Sequence, residues 1–178
     1  MAKNILRPNK EPGIENSRQK ITGGFTIIEV AMVIVIVGIM AALTIPRFNT
    51  FYGIKLSGAA KKVTSDIRYT QQLAITRHES YNMNFSANGY TVTRALGGFA
   101  IDPFTRGNFN INFNSDPQYG GIAVIATFGG GILRFNWEGV PCDSAGTPLI
   151  SDNNITLSYQ GNTKTIIVTR DTGRIVIQ

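Results

Sequence analysis

Glu29 is the residue whose position asks most of its surroundings. It stands in an apolar run, residues 25–45, that has 21 residues and no other charge. An ionised carboxylate at mid-bilayer costs about 2.5–3.5 kcal/mol on insertion scales, so a charge kept there needs a partner. Other strings look like chemistry and lack its second half. Asp171-Thr172-Gly173 matches the aspartic-protease tripeptide, but that reaction needs two carboxylates sharing a proton, and the chain has no second such string. A β-turn with Gly173 at positive φ accounts for it. The "FGGGIL" stretch around Gly129, Gly130 and Gly131 lacks the Lys-Ser/Thr of a phosphate loop and opens no predicted helix, so it reads as a flexible turn. "SDNN", from Ser151 to Asn154, offers oxygens to calcium without the acidic density of a dedicated site. The one histidine, His78, rules out a multi-histidine metal site. The one cysteine, Cys142, permits no internal disulfide and reads as a loop or core thiol with no base beside it. These readings predict no enzyme, no catalytic residue, no cofactor and no metal.

The elements that must position Glu29 follow from composition and period. The chain has 178 residues, the size of one globular unit plus an appendage. Lys3, Arg7, Lys10, Arg18 and Lys20 face only Glu11 and Glu15 ahead of Gly24, so this head carries +3 of the net +6. The remainder carries the other +3, too mild to mark a nucleic-acid protein by itself. As a helix, residues 25–45 would measure roughly 32 Å, about the hydrocarbon thickness of a bilayer. Secretory signal peptides have a shorter apolar core followed by small residues, whereas Gly23 and Gly24 precede this run. The basic head predicts that the N-terminal end stays in the cytoplasm and everything after Pro46 lies across the membrane. Pro46 lacks an N–H and clashes with the preceding turn, which predicts a kink or a melted stretch between Gly38 and Pro46.

Leu56, Ala60, Val63, Ile67, Thr70 and Ala74 then recur at alternating four and three spacing, with Lys61, Lys62, Asp66 and Arg68 mostly between them. The spacing predicts an amphipathic helix packed on a sheet. From Ser80 on, "YNMNF", the turn "SANG" and "YTVTRA" read as a hairpin. "GIAVIATF" and "ILRFNW" read as strands, "ITLSY", "QGNT" and "KTIIVTR" as a second hairpin, and "RIVIQ" as the closing strand. Residues 97–120 are polar and rich in Asn, Asp and Gly, which predicts a long loop or irregular strand. The expected class is α+β, a long N-terminal helix with a transmembrane half and an amphipathic half, packed on antiparallel β-sheet.

"GG-FTIIEVAMVIVIVGIMAALTIPRF" resembles the type III signal of type IV pilins and type II secretion pseudopilins: a basic leader ending in Gly, then Phe, then Glu at the fifth position of the mature chain. The helix "AAKKVTSDIRYTQQLAITRHESYNMNF" with strands after it and the ending "GRIVIQ" resemble the GspH/FimT class of minor pseudopilins. The resemblance implies that a prepilin peptidase cuts between Gly24 and Phe25 and methylates the new amine of Phe25. It divides the chain into a leader at 1–24, a transmembrane and assembly helix at 25–50 and a periplasmic or extracellular domain at 51–178. Glu29 and Pro46 become assembly residues, Glu29 pairing with the Phe25 amine of a neighbouring subunit in a low-dielectric helix bundle. The implied partners are the peptidase, other pilins or pseudopilins and an inner-membrane assembly platform. The implied location is the bacterial inner membrane, as a single-pass protein, and then the filament, near its tip.

The same resemblance carries an alternative, DNA capture during natural transformation, attributed in FimT-like minor pilins to a Gly-Arg-x-Arg motif. Here the match is Gly173-Arg174-Ile175-Val176, with Val176 where the second arginine would stand. Lys164, Arg170 and Arg174 are the candidate DNA contacts, on the expectation that adjacent strands gather them into one small, salt-sensitive patch.

Overall fold

The computed structural model describes residues 23–44 and 47–178, apart from the side chains of residues 44 and 47–50. The basic head up to Lys20 and the expected bend at Pro46 lie outside the described residues. The described chain forms two compact units, divided after Leu43.

In the first unit, helix α1 spans Ile27–Thr44. Thr26 caps it: the Glu29 N–H donates to the Thr26 hydroxyl at 3.3 Å and to its carbonyl at 3.0 Å. Thr26-x-x-Glu29 is thus the spacing of a capping box, with Glu29 in the first turn, where the helix dipole favours a carboxylate. The helix runs through Gly38 to Thr44 without a break, so the described part of the expected kink region is regular helix. Its apolar side chains are exposed on every side, from Ile27 at 92% to Val30 at 48%. Its 18 residues amount to about 27 Å. Among the described residues no helix is long and apolar enough to cross a membrane. The 21-residue run expected to be helical carries no regular secondary structure at Phe25 and Thr26 and passes out of the described residues at Ile45.

The second unit is built on helix α2, Arg47–Arg77. The predicted stripe is its core face: Leu56, Ala60, Val63, Ile67, Thr70 and Ala74 are all fully buried. The helix ends at His78, which takes the left-handed conformation (φ 52), while the Glu79 and His78 N–H groups donate to the Ala74 and Ile75 carbonyls. This Schellman pattern satisfies the last carbonyls and turns the chain toward the first strand.

Nine strands follow: β1 Tyr81–Ser86, β2 Gly89–Arg94, β3 Asn110–Asn112, β4 Ala123–Ala126, β5 Ile132–Phe135, β6 Pro141–Cys142, β7 Asn153–Tyr159, β8 Asn162–Val168 and β9 Ile175–Ile177. They form two antiparallel sheets, ordered β3-β2-β1-β5-β6 and β4-β7-β8-β9. Helix α2 packs on β1 and β5 of the first and on β7, β8 and β9 of the second. The expected α+β class, a helix packed on antiparallel sheets, is the class observed. The β1–β2 hairpin has Ser86 opposite Gly89, and the β7–β8 hairpin has Tyr159 opposite Asn162. The latter closes through Gln160 (φ 48) and Gly161 (φ 78), both positive as a tight primed turn requires. The neighbours in sequence β4 and β5 belong to different sheets, separated by a single 3-10 turn at Gly129–Gly131.

Residues 97–120 are more ordered than their polarity suggests. β3 pairs with β2, isolated bridges join Thr93 to Phe99 and Ile101 to Asn108, and Phe109 and Phe113 are buried in the core. Asp102, itself buried, holds the turn by accepting from the Phe104 N–H at 2.8 Å and the Thr105 hydroxyl at 3.0 Å.

Candidate functional site

The candidate processing residues Gly24 and Phe25 and the assembly residue Glu29 lie together at the start of α1, while Pro46 lies outside the described residues. Gly23, Gly24, Phe25 and Thr26 carry no regular secondary structure and are exposed, Phe25 at 79%. Helix begins only two residues beyond the Gly24–Phe25 bond. Glu29 is exposed one turn further on.

The strongest buried electrostatic arrangement lies on α2 and was not foreseen as such. Asp66, counted with the polar residues between stripe positions, is a core residue at 3% exposure. The Tyr90 hydroxyl donates to its carboxylate at 2.5 Å, and the Lys62 ammonium approaches the same oxygen at 3.2 Å. Burial raises the Asp66 carboxyl above its ordinary value, against the Tyr90 hydrogen bond and the Lys62 charge, which lower it. Burial likewise pushes the Tyr90 phenol well up. The group is a packed structural network whose Lys62 is partly exposed.

The three candidate DNA contacts occupy different elements of the second unit. Lys164 lies in β8 with core-facing Ile166 and Val168 on the same side of the strand. Arg170 sits in the β8–β9 turn, its guanidinium donating to the Ile150 carbonyl at 2.9 Å and pairing with Asp171 at 3.3 Å. Arg174 lines a groove of about 480 Å³ between β9 and α2, opposite Lys61, Ser65 and Arg68. Strand alternation separates Lys164 from Arg174, and the helix supplies Arg174 with different cationic neighbours, a placement that needs the tertiary fold.

The remaining strings have local structural duties. Asp171-Thr172-Gly173 forms the expected turn, with Gly173 at φ 66 and its N–H donating to the Thr169 carbonyl. Asp152 accepts from the Arg170 N–H at 3.0 Å, and Asn153 lies 3.2 Å from the Thr127 hydroxyl. Cys142 is buried in β6, its thiol 3.4 Å from the Val140 carbonyl and raised by burial, conditions opposite to those of a nucleophile.

No protein-family model matches the chain. Among solved structures it is similar to the type IV minor pilin FimU of Pseudomonas aeruginosa in two crystal forms. One has 13% sequence identity and a TM-score of 0.47, over 69% of this chain and 92% of that chain. The other has the same identity and a TM-score of 0.46, over 69% and 87%.

Proposed function

We propose that the chain is a minor pilin or pseudopilin of the GspH/FimT kind, cut between Gly24 and Phe25, inserted in the inner membrane by residues 25–45 and assembled into a filament through its N-terminal helix. The observation that carries this reading is the order Gly24, Phe25, Thr26, Glu29 at the start of an all-round apolar helix. An exposed segment without regular secondary structure offers the scissile bond, a threonine cap starts the helix, and one carboxylate follows in its first turn.

Glu29 has two duties in this account. In the single subunit its carboxylate meets the positive end of α1, a contribution of about 0.3–1 kcal/mol. In the filament it meets the cationic Phe25 amine of a neighbour, where low dielectric makes the attraction stronger and fixes axial register. The two duties separate experimentally, because Gln also suits this capping position and carries no charge. Glu29→Gln is expected to insert as well as wild type, or better, while recovery of partner pilins from the same membranes falls about tenfold, equivalent to about 1.4 kcal/mol. Equal recovery of every partner at matched expression would reduce Glu29 to a helix-capping residue.

A further inference from the structure

We propose that the groove between β9 and α2 binds an extended acidic segment of another protein chain, which adds to the second sheet as a strand beyond β9. Three independent features point there. The first is an open edge. β9 is the last strand of its sheet, and its hydrogen bonds to β8 fall at alternate residues: Thr169 with Arg174, and Thr165 with Gln178 in both directions. By that alternation Ile175 and Ile177 turn their N–H and C=O groups away from β8, and among the described residues nothing bonds to them there. An edge with unused donors and acceptors is a template for another strand.

The second feature is shape. The edge does not face open solvent alone but borders a groove of about 480 Å³ whose other wall is α2. A helix set beside a free sheet edge is a geometry that receives extended peptides, main-chain bonds supplying affinity and alternate side chains meeting the walls. The floor holds Thr64, 6% exposed, whose hydroxyl has no hydrogen-bond partner among the described residues.

The third is charge. Lys61 and Arg68 stand on the helix wall and Arg174 at the start of β9; no acidic side chain lines the groove and none of the three makes an ion pair among the described residues. Strand addition supplies the direction of the bound chain, and the three cations select carboxylates on it. The inference does not depend on the filament reading, since edge, groove and charge belong to the second unit alone.

The test uses the full chain in detergent micelles and a short capped peptide alternating Glu and Val. Binding is expected below about 1 mM, with the Ile175 and Ile177 amide resonances shifting. The same peptide methylated at alternate backbone nitrogens, or carrying Lys in place of Glu, is expected to bind at least tenfold more weakly. Lys61→Glu with Arg68→Glu should weaken the acidic peptide by a similar factor while leaving the protein's near-UV circular dichroism unchanged. No binding at about 1 mM overturns the proposal, and so does equal binding of the backbone-methylated peptide, which would leave only non-specific charge attraction. A DNA duplex that displaces the peptide and is lost with the same two substitutions overturns it in favour of a phosphate-binding groove.

Discussion

Asp66 shows how a single side chain can belong to the core and still carry a charge. Its carboxyl is raised by burial above 3.8, so between that value and the raised folded one the folded chain holds a proton that the unfolded chain has lost. Stability contributed by this group is therefore present below about pH 4 and falls as pH rises through the window. Asp66→Asn, which still accepts from Tyr90, is expected to flatten that slope, measured as urea unfolding at a series of pH values. Identical slopes in the two proteins would show that the group titrates alike folded and unfolded. Asp66→Ala is expected to cost about 1–3 kcal/mol at every pH, because the buried Tyr90 hydroxyl loses its acceptor. Periodicity could place Asp66 beside the stripe but not inside the core, since the tyrosine that stabilises it comes from 24 residues further along the chain.

Helix α2 was legible because six residues repeat one period over nineteen positions, Leu56 to Ala74, and each repeat buries the same face. The two hairpins were legible through their two-residue turns. β3 was not, although Phe109, Ile111 and Phe113 alternate with Asn108, Asn110, Asn112 and Asn114 at the strand period. The asparagines dominated composition, while alternation, which decides burial, was carried by three residues. Gly89 makes β3 possible: a Cβ at this position would run into the Ile111 carbonyl oxygen of the paired strand. Gly89→Ala should therefore force β2 and β3 apart and cost about 3 kcal/mol or more. Gly53, in α2 with nothing within 4 Å of an added Cβ, gives the opposite expectation. Gly53→Ala should stabilise by about 0.5–1 kcal/mol through backbone entropy. Thermal unfolding of the two variants checks both signs together; stabilisation by Gly89→Ala, or loss with Gly53→Ala, would mean the backbone runs differently there.

Taken as a chain, the protein joins an apolar helix exposed on every side to a sheet-covered unit whose own core is complete. The order Gly24, Phe25, Glu29 is visible in the sequence because it is local, whereas the Thr26 cap that starts the helix emerged only in the structure. The basic groove was not visible there, because Lys61 and Arg68 meet Arg174 only after β9 returns to α2. A helix with no polar face is costly in water, where each buried CH₂ is worth about 0.8 kcal/mol, and in the proposed function lipid or other helices cover its surface. The proposed processing at Gly24–Phe25 would put the start of the mature chain at the start of that surface. The intact mass of the full-length chain, expressed in a host with a working prepilin peptidase and isolated from its membranes, tests this most directly. The predicted product begins at Phe25 with one methyl group on its amine; a chain that keeps its leader, or is cut elsewhere, would contradict the assignment.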